Sequence, residues 1–97
     1  MSLKPKQKQF LRGLAHSLKP TVIIGGSGLT ESVIEEIKQT IEHHELIKIR
    51  INAGDRTVRE EIMGNISTTC DCDHVQSIGR IGIFYKPSDK HKITLPR

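Results

Sequence analysis

The stretch VIIGGSGLTE, residues 22–31, constrains this chain more than any other. A β-branched apolar run, Val22 to Ile24, meets the glycines Gly25, Gly26 and Gly28 and then the entry to a helix. β-branched residues bounded by turn signals read as a buried strand. Glycine loses more backbone freedom on folding than any other residue, so a cluster marks a tight turn or a backbone that something must approach closely. Thr30 has the N-cap chemistry, Glu31 suits the positive first turn, and Leu29 and Ile34 are spaced as a hydrophobic staple. Strand, glycine turn and helix therefore follow one another without a break.

The rest of the chain alternates helical and strand periods around this unit. Lys4 to Leu18 places Phe10, Leu11, Leu14 and Leu18 at helical spacing, and Pro20 forces Lys19 toward an extended conformation that ends the helix. Phe10 and Phe84 read as core. The helix after Thr30 carries its stripe on Val33, Ile34, Ile37 and Ile41. ELIKIRI, residues 45–51, alternates Ile47, Ile49 and Ile51 with Lys48 and Arg50, which predicts a strand with a buried face and a basic face. A third helix over about 55–68 presents Val58, Ile62, Met63 and Ile66. Two strands, 74–78 and 81–86, joined by Gly79 and Arg80, read as a hairpin with a II′ turn. The order α-β-α-β-α-β-β predicts a compact two-layer α/β domain, with helices packed on a mixed four-stranded sheet. It spans 1–97 as one domain, with a polar basic tail over 86–97.

Charge is divided unevenly along this pattern. The net charge is +4 and the pI about 9.3. The first twenty residues hold Lys4, Lys6, Lys8, Arg12 and Lys19 with no acid, and the last segment holds Arg80, Lys86, Lys90, Lys92 and Arg97 against Asp89. A polyanion suits such ends, although lysine-rich termini also serve solubility alone. No apolar run approaches the roughly 18 residues of a membrane span and no signal peptide is recognisable, so a cytoplasmic location without membrane contact is expected.

The glycine loop excludes two nucleotide sites. The dinucleotide fingerprint fails because Glu31 stands where the third glycine belongs, and the Walker loop fails because no lysine follows until Lys38. G-x-x-G from Gly25 to Gly28 remains, ending just before a helix N-terminus whose free amides attract phosphate. By itself that motif also fits a purely structural turn. Combined with basic termini and the Lys48 and Arg50 face, it points to a nucleic-acid backbone. Phe10, Phe84 and Tyr85 are too few for a base-stacking platform, so recognition by phosphate contacts and shape, and hence structured RNA, is expected.

LRGLAHSLKP, IGGSGLT, HHELIKI and the ending IGR…FYK together resemble the CRM domain (chloroplast RNA splicing and ribosome maturation) in its bacterial YhbY-like single-domain form. The resemblance runs from about Leu3 to Arg97. It implies a fold similar to the C-terminal domain of bacterial translation initiation factor three, and association with precursors of the large ribosomal subunit. It also implies an RNA-facing loop, here Gly25, Gly26, Ser27 and Gly28. Family loops often carry a basic or larger polar residue between the outer glycines, whereas this one has Gly26 and Ser27. Amides and the Ser27 hydroxyl must then act with cations elsewhere. The RNA-binding set expected from loop and charge is Gly25, Gly26, Ser27, Gly28, Lys4, Lys6, Lys8, Arg12, Lys19, Lys48, Arg50, Arg80 and Lys86.

Other candidates carry less. In an extended segment Cys70, Cys72 and His74 would project to one side, but a structural zinc usually takes four ligands in spaced pairs, so thiols without a metal are expected. Adjacent His43 and His44 suit the carboxyl end of a helix and lack a nucleophile partner. The sequence predicts a non-enzymatic RNA-binding protein that assists assembly of the large ribosomal subunit on precursor rRNA, with no cofactor, metal or small-molecule substrate. The alternative is an adaptor that binds a ribosomal protein or assembly factor and touches RNA only incidentally.

Overall fold

The computed structural model describes residues 3–97. Its elements are α1 (Pro5–Ala15), β1 (Val22–Ile24), α2 (Glu31–His44), β2 (Leu46–Ile51), α3 (Arg56–Cys70), β3 (Asp73–Ile78) and β4 (Ile81–Tyr85). The strands form one mixed sheet in the order β1-β2-β4-β3, with β1 parallel to β2 and the other two pairs antiparallel. The expected element order and α/β class are those observed. No helix among the described residues is long and apolar enough to cross a membrane.

The helices do not form one layer, because they cover both faces of the sheet. Alternation along β2 sends Ile47, Ile49 and Ile51 one way, where they meet Ile37 and Ile41 of α2 and Met63, Ile66 and Cys70 of α3. Leu46 points the other way and joins Leu11 and Ala15 of α1, Val75, Ile83 and Tyr85 in a second cluster. Near β4 the first core is tight enough to require a glycine: a Cβ on Gly82 would lie 2.7 Å from the Phe84 ring.

Helix ends follow their side chains. Thr30 accepts from the Val33 N–H at 3.3 Å and Asp55 from the Val58 N–H at 3.0 Å, fixing the starts of α2 and α3. In α1 the expected boundary and face both shift. The helix stops at Ala15, before Leu18, and turns Leu11 and Ala15 inward. Phe10, expected in the core, is 38% exposed, and Leu14 and Leu18 lie outside with it. Packing small Ala15 against the sheet lets the helix sit close, at the cost of leaving the larger row in water.

Residues 86–97 contain no helix or strand but are anchored. Glu45 is wholly buried and adopts a left-handed φ of 66° at the end of α2. Its carboxylate accepts from the Ser88 hydroxyl, from the N–H groups of Ser88 at 3.2 Å and Lys92 at 2.9 Å, and from the Ile93 N–H at 2.9 Å. Burial by itself would raise the Glu45 pKa; these hydrogen bonds, led by the Ser88 hydroxyl, outweigh it and bring the pKa down to about 2. So held, the segment lays Ile93 and Leu95 on the second cluster and offers the Pro96 carbonyl to Gln7 at 3.0 Å.

Candidate nucleic-acid interface

Three loops meet at one end of the sheet. The Asn52 N–H donates to the Ile24 carbonyl at 2.8 Å and the Ile51 N–H to the Arg80 carbonyl at 2.8 Å. The glycine loop after β1, the loop after β2 and the β3–β4 turn are thereby tied side by side. Because β1 and β2 are parallel, α2 and α3 both begin here, and both present their positive ends. Gly79 has a φ of 56° and Arg80 a negative one, the signs that the expected II′ turn requires.

Within the glycine loop the Gly28 N–H closes a turn on the Gly25 carbonyl at 3.0 Å, and Thr30 donates to the Gly28 carbonyl at 3.1 Å. Gly28 has a φ of 71°, the left-handed region that favours glycine. Gly25 and Gly26 differ. Neither has a positive φ, both are exposed, and a Cβ on either would meet nothing within 4 Å. Their lack of a side chain is therefore not explained by turn geometry or by packing. The amides of Gly26 and Ser27 find no acceptor among the described residues and stand open beside the start of α2.

Arginine surrounds this loop. The chain has six, Arg12, Arg50, Arg56, Arg59, Arg80 and Arg97, and the four from Arg50 to Arg80 lie at this end. Arg50 is exposed on the face that α2 and α3 leave free, and its Nε donates to Asn52 Oδ1 at 3.0 Å. Arg80 is exposed on its turn. Arg56 meets Glu60 at 3.3 Å, a solvated pair that binds either partner only weakly. Arg59 is half-buried, with one guanidinium N–H on the Gly54 carbonyl at 3.1 Å. Sequence reasoning found Arg50 and Arg80 but missed Arg56 and Arg59. The signal was available in the topology: a helix that follows a strand parallel to β1 must start at the same end as the glycine loop.

The remaining expected cations are not gathered here. Lys86 donates its N–H to the Glu45 carbonyl at 2.9 Å, at the far end of a strand that spans about 17–20 Å. Lys6 reaches the Arg97 carbonyl at 3.4 Å beside the anchored tail, with Lys4 next to it at the start of α1, and half-buried Lys8 lies near Asp73 and His74. Arg12 is exposed on α1. Lys19 and Lys48 sit at mid-sheet level, where the Thr21 N–H meets the Lys48 carbonyl at 3.0 Å, and Lys48 is half-buried rather than fully exposed. The far end also holds a cleft of about 860 Å³ with Lys38, Lys86, Lys90 and Lys92 in its wall, but Glu42, Asp71 and Asp89 share that wall and offset them.

Known proteins carry the same architecture. The family model for the CRS1/YhbY (CRM) domain matches residues 3–86. The chain belongs to the CRM domain family. An RNA-binding protein of Haemophilus influenzae is 48% identical over 99% of this chain and 97% of its own length. A protein of Pseudomonas aeruginosa named as a probable RNA-binding protein is 33% identical over 93% and 86%. The solution structure of a hypothetical protein from Staphylococcus aureus superposes with a TM-score of 0.86 at 35% identity, covering 98% of this chain and all of the other.

In this CRM domain Cys70, Cys72 and His74 each pack against the fold. Cys70 is the last residue of α3 and is buried, so the extended run expected to align Cys70, Cys72 and His74 does not exist. Burial, with Cys70 and Asp73 close by, pushes the Cys72 thiol up to about 12, and its Sγ donates to the Ile66 carbonyl at 3.8 Å. The His74 ring stacks on Phe84 with centroids 5.0 Å apart. Among the described residues no group of three or more His, Cys, Asp or Glu is placed to hold a metal ion.

Proposed function

We propose that this CRM domain is a non-enzymatic, cytoplasmic RNA-binding protein that grips RNA backbone at the end of its sheet bearing Gly25–Gly28. The observation that carries the reading is that Gly25 and Gly26 are glycine where neither the turn nor the packing asks for it. A backbone bare of side chains, with two open amides beside a helix start, admits a phosphate. Arg50 and Arg80 supply charge next to it. The relatives described as RNA-binding proteins agree with this chemistry. The further step, to precursor large-subunit rRNA and ribosome assembly, rests on the family resemblance.

The test is binding of the purified protein to a structured large-subunit rRNA fragment and to a matched DNA duplex across salt concentration. Neutralising about four phosphates gives a slope of roughly −3 to −4 in log affinity against log salt. Preference for RNA with that slope supports the reading, and equal weak binding to both sinks it. Gly26→Glu is the sharper variant than a change at Gly28, whose φ of 71° would strain any side chain. Space around Gly26 lets the variant fold, and RNA affinity is expected to fall at least about tenfold, near 1.4 kcal/mol.

A second reading has one observation of its own. Phe10, Leu14 and Leu18 form an exposed apolar row on and just beyond α1, as an adaptor for a ribosomal protein or assembly factor would offer. Ribosomal particles retained after nuclease treatment would favour it, and their loss favours the RNA reading.

A further inference from the structure

We infer that Arg59 and Ser77 form a second seat for an RNA-backbone phosphate, separate from the glycine loop. The inference rests on the RNA-binding reading and adds to it a contact on the opposite side of the β3–β4 turn.

A niche of about 240 Å³ opens between the first turns of α3 and the hairpin, lined by Arg56, Arg59, Glu60, Met63, Ser77 and Gly79. Arg59 Nε is itself buried and has no hydrogen-bond partner, the one such side-chain nitrogen or oxygen among the described residues. Buried donors are almost always satisfied, and one belonging to a permanent cation is among the costliest to leave open. The guanidinium has five donors, of which one is held, by the exposed Gly54 carbonyl. A change of side-chain rotamer would turn the Nε edge into the niche, with water replacing Arg59 on Gly54. That edge offers two parallel N–H groups, the fork that matches two oxygens of a phosphate.

Across the niche the Ser77 hydroxyl is fixed by His74 Nε2 at 2.7 Å and lies 3.0 Å from Met63 Sδ. By turning its one proton from Met63 Sδ to a phosphate oxygen, with His74 Nε2–H donating to Oγ, it would offer a third polar contact that does not depend on charge. Glu60 is the one acid in the wall against Arg56 and Arg59, so the lining keeps a net positive charge. The niche adjoins Gly79 and hence the Arg80 turn, which lies two to three strand spacings of about 4.8 Å from the glycine loop along the same end. One RNA backbone can therefore run from the loop amides past Arg80 to Arg59. A free phosphate ion would have no such continuity, and the chemistry of the seat is assigned to backbone phosphate.

The experiment compares the full chain with Arg59→Gln and Arg59→Lys on the structured large-subunit rRNA fragment across salt. Arg59→Gln is expected to bind about tenfold more weakly, with the salt slope reduced by about 0.7–0.9 for one lost phosphate. Arg59→Lys is expected to keep the slope and still lose several-fold in affinity, because an ammonium lacks the fork. Independently of any variant, the Arg59 Nε–H resonance of the native protein should shift on adding the RNA and stay in place with millimolar inorganic phosphate. If the native protein binds RNA while Arg59→Gln keeps its affinity and slope and the resonance does not move, this seat is overturned and the loop reading stands. Saturation of the resonance by inorganic phosphate overturns the assignment to RNA backbone. Failure of the native protein to bind RNA removes both readings together.

Discussion

Where β2 begins and β4 ends, the fold uses its polar groups on itself. Glu45 takes four hydrogen bonds from residues 88–93, Lys92 Nζ reaches the His43 carbonyl at 2.7 Å, and Lys86 faces Asp71. At the opposite end of the same strands the amides of Gly26 and Ser27 are open and Arg59 Nε has no partner. The closed end is built on lysine and one buried carboxylate, the open end on glycine and arginine. The difference separates charge that secures the fold or solvates it from donors that no acceptor among the described residues takes up. Counting cations along the sequence cannot make that separation.

The largest effect that would sharpen the comparison is on stability at the closed end. Glu45→Ala leaves three N–H groups and a hydroxyl without their acceptor and releases the tail from the second core. A loss of at least about 3 kcal/mol is expected, since hydrogen bonds to a charged group are each worth about 1.5–3 kcal/mol. Urea unfolding measures it. The same group sets an acid limit. With the folded pKa near 2 and the ordinary value 4.5, the Glu45 contribution is complete above pH 4.5 and drains away as pH falls toward 2. Native protein should therefore lose stability across that window, and Glu45→Gln, which cannot titrate, should lose less there. If Glu45→Ala unfolds at the native urea midpoint, the closed end is not the anchor described.

Much of the fold was readable because alternation and helical period report burial directly. Ile47, Ile49 and Ile51 are buried and Arg50 is exposed, as ELIKIRI requires. The α1 face misled because two apolar rows share that helix, and the one that packs contains Ala15, too small to outweigh Phe10, Leu14 and Leu18 in a pattern. Glu45 was unreadable for a different reason: its donors lie more than forty positions away, and nothing local distinguishes it from a solvated glutamate. At the candidate site the glycines were legible as a motif. The cations were assigned by their place in sequence, which put Lys4, Lys6 and Lys86 with the loop although the start of α1 and the end of β4 hold them elsewhere.

A middle-sized effect tests that reassignment. Arg50→Gln with Arg80→Gln should make the salt slope less steep by about 1.4–1.8 and weaken RNA binding by tenfold or more. Lys6→Gln with Lys86→Gln removes the same formal charge and should leave the slope nearly unchanged, since neither side chain stands near the loop. Equal losses from the two pairs would mean that RNA responds to net charge alone, and the distinction between the ends would collapse.

The smallest effect asks whether the open end uses arginine for its shape as well as its charge. Arg50→Lys keeps the cation and its approximate reach but gives up both the planar fork and the Nε bond to Asn52 that orients it. If phosphate is held in the fork, affinity should fall about threefold, near 0.7 kcal/mol, with the salt slope unchanged because the number of neutralised phosphates is the same. Lys86→Arg at the closed end should change neither quantity. Isothermal titration at one salt concentration, repeated at a second, resolves the two. An Arg50→Lys variant that binds like the native protein would show that this position acts as a point charge, leaving Arg59 as the place where guanidinium geometry is put to the test.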